Sequence, residues 1–76
     1  MTVEDALIKY YGGRPQYSCG KLYKIGDKTV TYSCGKLYKV GNDNIVFSCG
    51  KLYKVGGNLV RYLGNDIYEI GGVRIR

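Results

Sequence analysis

The sequence predicts an all-β repeat domain: an antiparallel meander of tandem 15-residue hairpins, barrel-like or strongly twisted, with a possible short N-terminal helix. Three observations carry this reading. The heptapeptide Ser-Cys-Gly-Lys-Leu-Tyr-Lys occurs unchanged at 18–24, 33–39 and 48–54, a step of 15 residues, and repetition at a fixed period outranks local propensity as evidence of architecture. Each unit holds two short runs rich in β-branched and aromatic residues, bounded by glycine, the pattern of strand and turn in alternation. About eight such strands with one apolar face cannot stay flat in water, so the sheet must curl, fold over or pair with another copy.

The register divides the 76-residue chain into residues 2–16, a degenerate unit or helix; 17–31, 32–46 and 47–61, nearly identical; and 62–76, divergent. Together they form a single repeat domain. In residues 2–16, Thr2 is placed to cap a helix, Glu4 and Asp5 suit its first turn, and Gly12-Gly13 before Pro15 supplies a stop. Leu7-Ile8-Lys9-Tyr10 also aligns with Leu22-Tyr23-Lys24-Ile25, so a strand is the alternative. Capping and propensity favour a helix from about Val3 to Tyr11, in which Val3, Leu7 and Tyr10 or Tyr11 plug an open end of the sheet.

The unit 17–31 serves as the pattern for the rest. A strand Lys21–Ile25 ends at Gly26-Asp27, and Thr29–Ser33 ends at Cys34-Gly35. Glycine recurs at 26, 41, 56 and 71, where a two-residue hairpin loop requires positive φ; Ile25 is then opposite Lys28. The second turn has two readings. A two-residue Cys34-Gly35 loop sets Tyr32 opposite Leu37 and throws Tyr38 to the other face, since a shift of one residue inverts a strand. A three-residue Ser33-Cys34-Gly35 loop keeps all units in phase, and on that ground it is the expected one. The expected core face then carries Tyr23, Tyr38, Tyr53 and Tyr68 beside Ile25, Val40, Val55 and Ile70, with rows from Val30 to Ile75 and from Tyr17 to Tyr62. Leu22, Leu37, Leu52, Ile67 and the lysines at 24, 39 and 54 fall on the opposite face.

Composition narrows the function classes. There is no histidine and the six carboxylates are scattered, which removes the ordinary Ser-His and Cys-His nucleophile pairs. A phosphate-binding loop motif is also missing. The expectation is a non-enzymatic protein with no cofactor. Cys19, Cys34 and Cys49 occupy equivalent positions, two strands or about 9–10 Å apart, beyond the roughly 7 Å Cα limit of a disulfide; free thiols in tight turns are expected, and no shared metal site. No segment reads as a signal peptide or a membrane span, so the expected location is cytoplasmic, without membrane association.

Net charge is +6, and residues 17–61 carry the excess, with eight basic residues against Asp27 and Asp43. Lys24, Lys39 and Lys54 form one repeated row and Lys21, Lys36 and Lys51 another. Repeated cations attract polyanions, so these six lysines are the candidate site for nucleic acid or another polyanion. With the tyrosines on the opposite face, only phosphate contacts remain, and these discriminate little between sequences. The alternative is a small protein-interaction or inhibitor module that presents its basic face to an acidic protein. In the last unit Asp66 and Glu69 replace ladder lysines beside the apolar edge residues Val73 and Ile75; these four are the candidate residues for self-association as a homodimer.

Overall fold

The helix at the start of the chain has both ends satisfied locally. In the computed structural model, which describes residues 2–75, α1 spans Val3–Tyr11. Met1 and Arg76, the latter one of the basic residues balancing the final unit, lie outside the described residues. The Thr2 hydroxyl accepts a hydrogen bond from the Asp5 N–H at 3.1 Å, Glu4 and Asp5 face the positive end of the helix dipole, and Gly12 closes the last turn at φ 73° with its N–H donating to the Ile8 carbonyl.

Nine strands follow as a continuous meander: β1 (Pro15–Ser18), β2 (Lys21–Ile25), β3 (Lys28–Ser33), β4 (Lys36–Val40), β5 (Asp43–Ser48), β6 (Lys51–Val55), β7 (Asn58–Leu63), β8 (Asp66–Ile70) and β9 (Val73–Arg74). Each pairs antiparallel with the next, and the sheet runs β1 to β9 without closing. Laid flat, nine strands would span about 38 Å, yet the longest dimension of the molecule is 31 Å and its Cα radius of gyration 11.5 Å. The sheet is therefore coiled.

Two kinds of turn alternate. At the Gly-x turns the loop has two residues, Ile25 pairs with Lys28 as expected, and the ladder is short. At the Cys-Gly turns the loop also has two residues, not three: Ser18 pairs with Lys21, and Tyr32 stands opposite Leu37. Cys19 and Gly20 both have positive φ, 52° and 78°, the sign pattern of the type I′ turn that matches strand twist.

Phase is kept by a different device. Gln16 pairs with Lys24 while Tyr17 pairs with Leu22, so Tyr23 is an extra residue, a β-bulge repeated at the equivalent place in β4, β6 and β8. Two residues of the bulged strand then oppose one on its partner. The faces expected from the sequence change accordingly. Leu22 and Ile25, three apart, both turn inward, as do Leu37 with Val40, Leu52 with Val55 and Ile67 with Ile70. Tyr23, Tyr38 and Tyr53 turn outward, 41%, 49% and 46% exposed. The leucine row expected on the polar face is the core, and the tyrosine row expected in the core is on the surface.

The core lies inside the coil. Ala6 and Leu7 of α1 are fully buried against the inward rows, with Val30, Ile45 and Ile75 completing the cluster. Tyr32, Phe47 and Tyr62 pack half-buried beside it. The Tyr32 hydroxyl donates to the Leu22 carbonyl at 3.0 Å and the Tyr62 hydroxyl to the Leu52 carbonyl at 2.8 Å, tying two of the units to the one before at the residue that precedes the bulge. Phe47 holds the same place over Leu37 and has no hydroxyl to give.

At the other end of α1, equivalent positions of three units converge on two phenols. The Lys28 ammonium lies 5.8 Å from the centre of the Tyr11 ring, the Tyr11 hydroxyl donates to Asp43 Oδ2 at 2.8 Å, and Asn58 Nδ2 donates to the Tyr10 hydroxyl at 3.1 Å. Burial, with Asp43 alongside, pushes the Tyr11 phenol well above its ordinary range. Each Gly-x turn also packs on the preceding unit: a Cβ on Gly56 would stand 2.8 Å from the Asp43 carboxyl, and one on Gly71 2.8 Å from Asn58. Glycine at 56 thus meets two demands, positive φ and close approach.

Three outcomes follow from this packing. Phe47→Tyr supplies the missing donor to the Leu37 carbonyl and is expected to stabilise the fold by about 1 kcal/mol, read as a rise in Tm, whereas Tyr62→Phe lowers it by a similar amount. Gly56→Ala adds a clash with Asp43 to the left-handed penalty and should cost roughly 2 kcal/mol or more in denaturant unfolding, against about 1 kcal/mol for Gly57→Ala, where the space is open. Because the folded state holds the Tyr11 proton more tightly than the unfolded chain, its contribution is complete below the ordinary phenol pKa of about 10 and is lost as pH rises beyond it; Tyr11→Phe should flatten that alkaline decline in a pH series of unfolding curves.

Candidate functional site

The outward face of the sheet is set by the ladder pairs. Lys24 lies between Gln16 and Thr29, Lys39 between Thr31 and Asn44, and Lys54 between Val46 and Leu59. All six flanking residues are uncharged. Among the described residues these three lysines have no carboxylate partner, and each is half-buried.

The bulge places a tyrosine beside each of them. Tyr23 and Lys24 share the partner Gln16, and the Tyr23 hydroxyl donates to Gln16 Oε1 at 3.0 Å. In the third copy the Lys54 ammonium lies 5.7 Å from the centre of the Tyr53 ring. Tyrosine and lysine therefore share the outward face once per unit, the tyrosine exposed and the lysine half-buried. Regular alternation would set them on opposite faces; the signal for the observed arrangement is the spacing of Leu22 and Ile25, two aliphatic residues three apart in a strand, which share a face only across a bulge.

The second lysine row is in a different setting. Lys21 and Lys51 sit at the base of the Cys-Gly tips, with their ammonium groups 5.3 Å and 5.5 Å from the ring centres of Tyr32 and Tyr62 in the following units. Lys36, opposite Ser33, is exposed and borders a cleft of about 350 Å³ with Val3, Glu4, Tyr32, Leu37 and Phe47. All three lysines of this row are exposed, and Lys21 and Lys51 also contribute to packing between units at the tips. Burial, with Glu4 and Tyr17 nearby, raises the Tyr32 phenol pKa. Cys19, Cys34 and Cys49 are exposed free thiols at the tips.

The final unit ends the pattern. Glu69 stands between Arg61 and Arg74 in the ladder, with its carboxylate 3.7 Å from Arg61 Nε. The Arg74 guanidinium lies 5.0 Å from the centre of the Tyr68 ring, and Tyr68 is half-buried. Of the other residues considered for self-association, Asp66 is half-buried opposite Leu63, Val73 is exposed at the edge, and Ile75 is 5% exposed within the core. Among the described residues no cluster of three or more metal-ligating side chains occurs, and no helix is long and apolar enough to cross a membrane.

Comparison with protein-family profiles, curated proteins and solved structures returns no match for this chain.

Proposed function

We propose that the chain is a non-enzymatic binding module whose convex face takes up nucleic acid or a related polyanion. One observation carries the reading: Lys24, Lys39 and Lys54 recur in one row, flanked only by uncharged neighbours, beside exposed tyrosines. A lysine without a carboxylate partner keeps its full attraction for phosphate, and each phosphate neutralised releases counterions. Lys21, Lys36 and Lys51, exposed near the tips, lie outside this row and are secondary to it in this reading. The cytoplasm remains the proposed location.

The alternative, an acidic protein partner or a second copy, has less to work with. Glu69 is compensated by arginines of its own chain and Ile75 by its own core, which leaves the exposed Val73 edge and the basic face itself.

Binding should show a steep salt dependence. If three lysines each neutralise one phosphate, log K falls against log salt with a slope of about −2 to −3, measured by fluorescence anisotropy over a salt titration. Replacement of Lys24, Lys39 and Lys54 by glutamate is expected to abolish binding with the fold intact by circular dichroism, whereas Lys21→Gln with Lys51→Gln should lower Tm more than affinity. No polyanion bound even at low salt would remove this reading and turn the search to a protein partner.

A further inference from the structure

The tyrosine row specifies which polyanion the face is built for. A binder of phosphate alone has no use for rings: an exposed phenol adds nothing to attraction for duplex backbone, heparin-like chains or polyphosphate. Yet Tyr23, Tyr38 and Tyr53 are each close to half exposed, in a chain that buries aliphatic residues on the other side of the same strands. Their position is not residual. The bulge that directs each ring outward also sets it on the side of the adjacent lysine, so every unit offers one ring and one ammonium side by side.

The fourth unit gives an internal control. Where the lysine becomes Glu69, the equivalent ring, Tyr68, lies under the Arg74 guanidinium and is half-buried. The rings beside Lys24, Lys39 and Lys54 are the more exposed, even where the Lys54 ammonium lies 5.7 Å from the Tyr53 ring centre, and the ring beside Glu69 is the less exposed. Unpaired bases stack on displayed aromatic rings while lysines track the backbone, which is how single strands are held without sequence readout. Bases in a duplex are already stacked on one another and cannot reach such rings.

Resting on the polyanion reading above, we propose that the convex face binds single-stranded nucleic acid, with bases stacked on Tyr23, Tyr38 and Tyr53 and phosphates on Lys24, Lys39 and Lys54. Sequence preference is weak, because every base has a face to stack. Three neighbouring units act as one site along the strand.

The test compares an oligothymidylate of about 15 nucleotides, within the range of site sizes of single-strand binders, with a duplex of the same length and with inorganic polyphosphate, all by anisotropy or competition on the full chain. The single strand is expected to bind at least tenfold tighter than the duplex. Converting Tyr23, Tyr38 and Tyr53 together to leucine is expected to weaken oligothymidylate binding about 100-fold or more while leaving polyphosphate affinity unchanged; the matching phenylalanine variant keeps its affinity for the single strand. Tyrosine emission of the unaltered protein, which has no tryptophan to mask it, should be quenched by oligothymidylate and not by polyphosphate, a readout that holds even if the triple variant fails to fold. Equal affinity for single strand and duplex, with no quenching, overturns the single-strand proposal and leaves the lysine reading standing. Absence of binding to all three ligands overturns both.

Discussion

One extra residue per unit governs this molecule. In a regular strand, Leu22 and Ile25 would face opposite ways, and a 15-residue hairpin built on two tight two-residue turns would lose phase with every repeat. The bulge at Tyr23 and its copies cancels the slip. It brings both aliphatic residues inward, sharpens the local twist that coils the sheet, and frees the Leu22 and Leu52 carbonyls to accept from the tyrosine of the next unit. Core, curvature and the contact between units all descend from it. The surface does too, since the residue expelled from the ladder is the tyrosine that stands beside the lysine.

Coiling leaves a cavity along the inner face, and α1 fills it. Ala6 and Leu7 supply the apolar volume, and the phenols of Tyr10 and Tyr11 meet the residues after the Gly-x turns. The two ends of each hairpin thus differ in task. The Gly-x ends are packed close together, with glycine where the preceding unit leaves no space for a side chain. The Cys-Gly ends carry a lysine set on an aromatic ring in two of the unit junctions.

Much of this was legible in the residues. Repetition gave the architecture, Thr2 and Gly12 gave both ends of α1, and the Gly-x turns gave the register of the short ladders. What failed was the choice of face. Keeping the units in phase by lengthening the Cys-Gly loop and keeping them in phase by a bulge satisfy the same period, and only the position of the aliphatic residues separates them. Tyrosine tipped the choice wrongly because it is large and apolar over most of its area; its hydroxyl and its tolerance of a half-exposed site make it the weaker claimant to a core that leucine can fill. The period sets both lysine rows, but how each lysine sits, half-buried at 24, 39 and 54 and exposed at 21, 36 and 51, depends on contacts between units that a single unit does not encode.

Three identical heptapeptides raise a difficulty that the helix resolves. Strands of the same sequence can exchange partners in steps of one whole unit with every local rule still obeyed, so the hairpins alone do not define which copy stands where. Lys28, Asp43 and Asn58 occupy one equivalent position and differ in charge and hydrogen-bonding capacity, and Tyr10 and Tyr11 engage all three. A chain displaced by one unit would set an amide where the Tyr11 hydroxyl needs a carboxylate. The least repetitive part of the sequence therefore acts as the index of the most repetitive part, assigning each copy its address in the array.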